Sequence, residues 1–157
     1  MQKNKTLDVL KKLASILLAV CFLLPLSTCT SKKGEGAAAS IESSTLHGFD
    51  MARQGWEDIR AGKPDGFLTL LIVFHVFFVP IICLGLKPGL QAVVYLFGSL
   101  AAEYILVGWV FVFATHSEIG GLIAIACWAL LFCIGIATLW RSSSLYTPAA
   151  SCSACWA

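Results

Sequence analysis

Two proton-carrying side chains lie deep inside otherwise uncharged apolar runs. Glu103 is the single charged residue between Pro88 and Ser117, and His75 sits within the uncharged run from Gly66 to Leu86. A charged side chain at mid-helix in hydrocarbon costs roughly 2.5–3.5 kcal/mol on insertion scales, so such groups usually face a protein interior. His75 lies eight residues inside Phe67, and Glu103 eleven residues inside Ala114. At a rise of ~1.5 Å per residue those depths are roughly 12 and 16 Å, so the two can share one level. Paired across helices, they would form an intramembrane polar pair able to relay protons or hold an ion. The structural alternative is an uncharged Glu103 bonded across a helix contact, and a His75 bonded to a backbone carbonyl. Pro80 lacks an amide hydrogen and leaves the Val76 carbonyl open within a turn of His75. Zinc takes three or four protein ligands, so a lone Glu–His pair builds no metal site.

Seven cysteines invite a redox or disulfide reading. Cys21, Cys83, Cys127 and Cys133 lie inside apolar runs, where cysteine behaves as a small hydrophobe. Cys152-Ser153-Ala154-Cys155 has CxxC spacing beside Trp156, but it ends a small, polar tail without the strand-to-helix setting of a redox site. Nucleophile triads, phosphate loops and HExxH spacings are absent. We therefore expect no catalytic residue, no metal and no cofactor, and a chain that is not an enzyme.

The elements that must position these residues follow from composition. Of 157 residues, 58% are hydrophobic and 13% charged, against about 25% charged in a soluble domain. A net charge of +2 with no Lys/Arg-rich block excludes a nucleic-acid partner and leaves the lipid bilayer. Four charge-poor runs stand out: Leu13–Ser31, Gly66–Leu86, Pro88–Ser117 and Ile119–Trp140. About 20 apolar residues span a ~30 Å hydrocarbon core, and the last three runs reach that length. Only helices or closed barrels satisfy their backbone in lipid, and these runs are too continuous for barrel strands. The expected fold is all-α: an integral membrane bundle of four transmembrane helices, or three if an N-terminal signal is cleaved. The chain divides into a signal or first helix (1–29), an extracytoplasmic segment (30–66), a three-helix bundle (67–140) and a cytoplasmic tail (141–157). Lys3, Lys5, Lys11 and Lys12 precede the first run, and Lys87 and Arg141 fall in alternate loops. The positive-inside rule then places both termini in the cytoplasm of a multi-pass protein of the bacterial inner membrane.

The outer segment has two parts. Lys32–Ser44 is rich in Gly, Ala and Ser and reads as a flexible linker. From Ser44 or Thr45, both good N-caps, Leu46, Phe49, Ala52, Trp56 and Ile59 recur at helical spacing. Ion pairs such as Arg53/Glu57 support the helix, and Gly62-Lys63-Pro64 ends it. This amphipathic helix either lies on the membrane surface with Trp56 at headgroup level or packs on the ends of its own spanning helices.

Two resemblances meet at Leu26-Ser27-Thr28-Cys29. Lys11-Lys12 followed by apolar Leu13–Leu26 has the plan of a secretory signal. Leu26-Ser27-Thr28-Cys29 resembles a bacterial lipobox, which implies lipid attachment at Cys29 after cleavage. Thr28 departs from the small residue normal there, and Pro25 sits close to the cut. The second resemblance is to small uncharacterised bacterial four-helix membrane proteins whose first helix ends in Leu-Pro, followed by a nearby Cys. Leu24-Pro25, Cys29, and Gly48-Phe49-Asp50-Met51-Ala52 with Gly55 match that plan, with His47 in place of a small hydroxyl residue. That likeness implies an uncleaved first helix and brings no activity with it. We expect the uncleaved form.

Small residues also have a packing role. Ala129, Cys133 and Ala137 form an i, i+4 stripe, and Gly98 and Ala102 share that spacing. Such faces let membrane helices approach closely, either within the bundle or against another copy or another membrane protein. The expected role is structural or accessory. The alternative is a subunit of an oligomeric transporter or channel that uses Glu103 and His75.

Overall fold

The computed structural model describes residues 5–33, 40–112 and 116–144, and the chain is mostly helical. The element order is α1 (Lys5–Cys21), β1 (Pro25–Lys33), β2 (Ser40–His47), α2 (Gly48–Arg60), α3 (Asp65–Phe77) and α4 (Val79–Cys83). It continues with α5 (Pro88–Val107), a π-helical turn (Gly108–Val112), β3 (His116–Ser117) and α6 (Ile119–Ser144). Helix α6 packs between α5 and α1, while α3 and α4 touch both α1 and α5 and close the bundle. The core runs along this seam and includes Leu18, Cys21, Val76, Phe77, Tyr95, Leu106, Trp128 and Leu131.

Two helices are long and apolar enough to cross a membrane, Pro88–Val112 and Ile119–Arg141, rather than the four expected. The other two runs are shortened for identifiable reasons. Pro80 cannot donate to the Val76 carbonyl, so the second run breaks at Phe78 into α3 and α4. The first run stops being helical at Cys21, and Leu26-Ser27-Thr28-Cys29-Thr30-Ser31 becomes strand instead of helix end.

The mostly helical chain fits the expected all-α class, and this strand departs from the flexible linker expected over Lys32–Ser44. β1 pairs antiparallel with β2, from Ser27↔Leu46 to Lys33↔Ser40, with an irregularity between Pro25 and Ser27. β3 pairs on its other side through Ser27↔Ser117 and Thr28↔His116, giving the order β2-β1-β3. Alternating hydroxyl and β-branched residues suit a pleated, half-buried surface better than a membrane helix. Thr28 Oγ1 donates to Glu118 at 2.8 Å, and the Glu118 amide donates to the Leu26 carbonyl at 3.3 Å. The sheet thus ties the end of α1 to the start of α6.

Helix α2 begins after His47, three residues later than a Ser44 cap would place it, because Ser44 and Thr45 belong to β2. Arg53 and Glu57 form the expected i, i+4 pair at 3.0 Å. Gly62, at φ 75°, adopts the left-handed turn that stops the helix. Lys63 bonds Asp58 at 2.9 Å, and that carboxylate raises the lysine pKa. The helix packs on α3, where Gly55 meets Gly66: a Cβ on Gly66 would fall 2.5 Å from the Gly55 carbonyl oxygen. Phe22 fixes the other end by edge contacts to Phe49, Phe77 and Phe78, with ring centroids 6.3, 5.6 and 5.3 Å apart. Trp56 stays exposed, with the Arg60 guanidinium 5.5 Å from its ring centroid.

Candidate functional site

The interior of the bundle holds a chain of polar groups supplied by three helices, α1, α4 and α5. Lys11 on α1 is only 9% exposed and donates to Gln91 Oε1 on α5 at 3.1 Å. Because lysine only donates, the Gln91 amide has one consistent orientation, with Nε2 pointing the other way. From there Nε2 donates to the Cys83 carbonyl at 3.0 Å and to the Tyr95 hydroxyl at 3.2 Å. Tyr95 also faces Ser15, whose hydroxyl donates to the Pro80 carbonyl at 3.3 Å. Four side chains from α1 and α5 and two backbone carbonyls of α4 are thereby used up among themselves. At the end of the bundle away from the sheet, Asp8 lies 4.0 Å from Lys11, beside a hollow of about 290 Å³ lined by Lys12, Leu86 and Gln91.

A second set of contacts repairs the proline break. Trp128 on α6 is fully buried and donates its indole N–H to the Val76 carbonyl at 3.0 Å. That carbonyl is the one Pro80 leaves open. His75 stacks on the Trp128 ring with centroids 5.7 Å apart and planes 20° apart. Its Nε2 lies 3.1 Å from the Gly98 carbonyl, so Nε2 carries the proton and donates. Gly98 makes room for this arrangement, since a Cβ there would sit 3.3 Å from His75 Cε1 and 3.7 Å from the Trp128 ring.

The structure does not join the expected pair. His75 is committed to Gly98 and Trp128, whereas Glu103 borders a cleft of about 490 Å³ with Ile72, Tyr104, Val107 and Trp109. His75 sits level with Gly98, so Glu103 differs from it in depth, by roughly 7.5 Å along α5, as well as in direction around the helix. Gly98 and Glu103 are five residues apart, which is about 140° around an α-helix. Glu103 therefore looks outward, half-buried, and among the described residues its carboxyl has no hydrogen-bond partner.

Cys29 lies in β1 opposite Ser44 and is half-buried. The residues that a cut before it would remove include Ala14, Leu18, Cys21 and Leu26, all in the core. Cys152, Cys155 and Trp156 lie outside the described residues. The stripe Ala129, Cys133 and Ala137 does not line the bundle seam; Ala129 and Cys133 are exposed, while Gly98 and Ala102 are buried. Among the described residues, no three His, Cys, Asp or Glu side chains converge as metal ligands.

Sequence reasoning missed Lys11, Gln91, Tyr95, Ser15 and Trp128. One signal was available: Gln91 is the polar residue near the start of a long apolar run, and Lys11 lies just before the apolar run that begins at Leu13. The Trp128 contact was half visible, because the open Val76 carbonyl was assigned to His75 instead. No protein-family model matches the chain, and neither a curated protein nor a solved structure matches it.

Proposed function

We propose that the chain is an integral protein of the bacterial cytoplasmic membrane with a structural or accessory role. In this reading α1, α3 with α4, α5 and α6 form a four-helix membrane bundle, capped on its outer end by the sheet and α2. Helix α1 has 17 residues, or roughly 26 Å, and α3–α4 runs from Asp65 to Cys83, roughly 28 Å. The α3–α4 length approaches the ~30 Å hydrocarbon thickness, whereas the apolar part of α1, Leu13–Cys21, covers roughly 14 Å of it, with Lys11 and Lys12 toward the headgroups. The exposed surface of the helices is correspondingly apolar, with Leu13, Phe67, Phe74, Phe97 and Leu122 facing outward. Lys11, Lys12, Lys87 and Arg141 gather toward one end of this bundle, and the sheet toward the other, which favours both termini in the cytoplasm.

The observation that carries the structural role is the pairing of interior polar groups with one another. Lys11, Gln91, Tyr95, Ser15, His75 and Trp128 all have protein partners, so they hold helices together instead of converging on a substrate-sized space. Retention of α1 belongs to the same reading, since Lys11 and Ser15 supply two of those bonds. A transport path through Glu103 and His75 draws no support from this geometry. A reporter active only in the periplasm tests the arrangement: it should work when fused near Gly62 and fail after Arg141. Activity after Arg141 would overturn it.

A further inference from the structure

The outer face of α5 carries two features that an ordinary lipid-facing surface does not. Val93, Phe97, Leu100, Tyr104 and Val107 are all exposed, and they follow one another at spacings of four, three, four and three residues. That is the a/d spacing of a coiled-coil seam. Lipid would accept such a face as it stands, because its tails are as apolar as leucine. It would not accept Glu103, which adjoins the seam with no partner among the described residues. Tyr104 is 85% exposed, and among the described residues its hydroxyl has no hydrogen-bond partner either. An unused acceptor and an unused donor therefore stand side by side on a surface read as facing hydrocarbon.

We propose that this face pairs with the same face of a second copy, with the Tyr104 hydroxyl of each chain donating to the other copy's Glu103 carboxyl. The register follows from the heptad. With Phe97 and Tyr104 at the first core position and Leu100 and Val107 at the second, Glu103 occupies the flanking position just before Tyr104. A knob at the first core position enters a hole that includes that flanking residue of the facing helix. Tyr104 of one chain thus meets Glu103 of its mate without any offset along the helix. Two copies inserted in one membrane have the same orientation, so a two-fold axis along the membrane normal keeps both groups at matching depth. The contact is self-complementary and closes after two copies. The cleft of about 490 Å³ beside Glu103 is the space the incoming ring enters.

The proposal rests on α5 crossing the bilayer, and two measurements keep the two ideas separate. The full-length chain, labelled with donor or acceptor dye at an added terminal tag, is reconstituted in phosphatidylcholine vesicles and diluted with lipid while energy transfer is followed. Association should be specific and saturable. Tyr104→Phe and Glu103→Leu should each weaken it about tenfold, the scale of two lost membrane hydrogen bonds. The double substitution should be no weaker than either single one, because both remove the same bonds, and Glu103→Gln should retain most of the association. A monomer at every dilution would overturn the proposal, as would association that neither substitution alters. Extraction of native membranes with alkaline carbonate is the companion measurement. Release of the chain into the supernatant would sink the membrane reading itself, whereas a retained monomer contradicts the pairing alone.

Discussion

The indole N–H of Trp128 serves the backbone carbonyl of Val76 at 3.0 Å, the carbonyl that Pro80 strands. A break in one helix is thereby mended by a side chain from another, and α3–α4 is locked to α6 at the same point. His75, stacked on that indole and bonded to Gly98, ties in α5.

This relationship can be isolated by a double-mutant cycle. Trp128→Phe should destabilise the bundle by about 1 kcal/mol through the lost bond, on the scale of membrane hydrogen bonds, besides any loss of packing. Pro80→Ala returns an amide to position 80, which can then bond Val76 within the helix. In that background Trp128→Phe should cost measurably less. Equal costs in both backgrounds, read by steric trapping or denaturant unfolding in detergent, would contradict the repair.

Lys11 and Gln91 should behave as a unit. Gln91→Leu strands a nearly buried ammonium and should cost about 2 kcal/mol, the range for bonds to charged groups. Lys11→Met alone leaves only a neutral amide with two remaining partners and should cost less. Adding Lys11→Met to Gln91→Leu should recover part of the loss. Additive losses in thermal unfolding would mean that the two side chains do not interact as described.

Docking of α2 depends on the close approach of Gly55 and Gly66. Gly66→Val places side-chain atoms where the Gly55 carbonyl and the Ile59 amide lie. Residues 48–60 should then lose hydrogen-exchange protection while α5 and α6 keep theirs. Unchanged protection across α2 would show that the helix is held chiefly by its Phe22 contacts.

How much could be read in advance depended on how local the cause was. Helices α5 and α6 are written as long charge-poor runs, and Gly62 marks the end of α2 through its own backbone preference. The sheet has no such local cause: β1 needs β2 and a two-residue partner some ninety positions away, Ser27 with Ser117. Without those partners, Leu26–Ser31 looks like the fading end of an apolar helix. The site divides in the same way. Pro80 announces an open carbonyl, but which donor reaches it depends on how α6 is rotated. Counting residues along each helix puts Glu103 level with His75, but the packing of α3 on α5 sets His75 beside Gly98, five residues away. Direction around the helix depends on packing, and it turned Glu103 outward.

The central claim is that α1 is a permanent helix of a membrane-embedded bundle, and not a signal that is discarded. Intact-mass spectrometry of the C-terminally tagged chain purified from membranes tests it most directly. The expected chain still contains Lys5–Cys21 and carries no acyl groups at Cys29. A chain that starts at Cys29 with the added mass of fatty acids would contradict it, because Lys11, Ser15, Leu18 and Leu26 would then be missing from the core they complete.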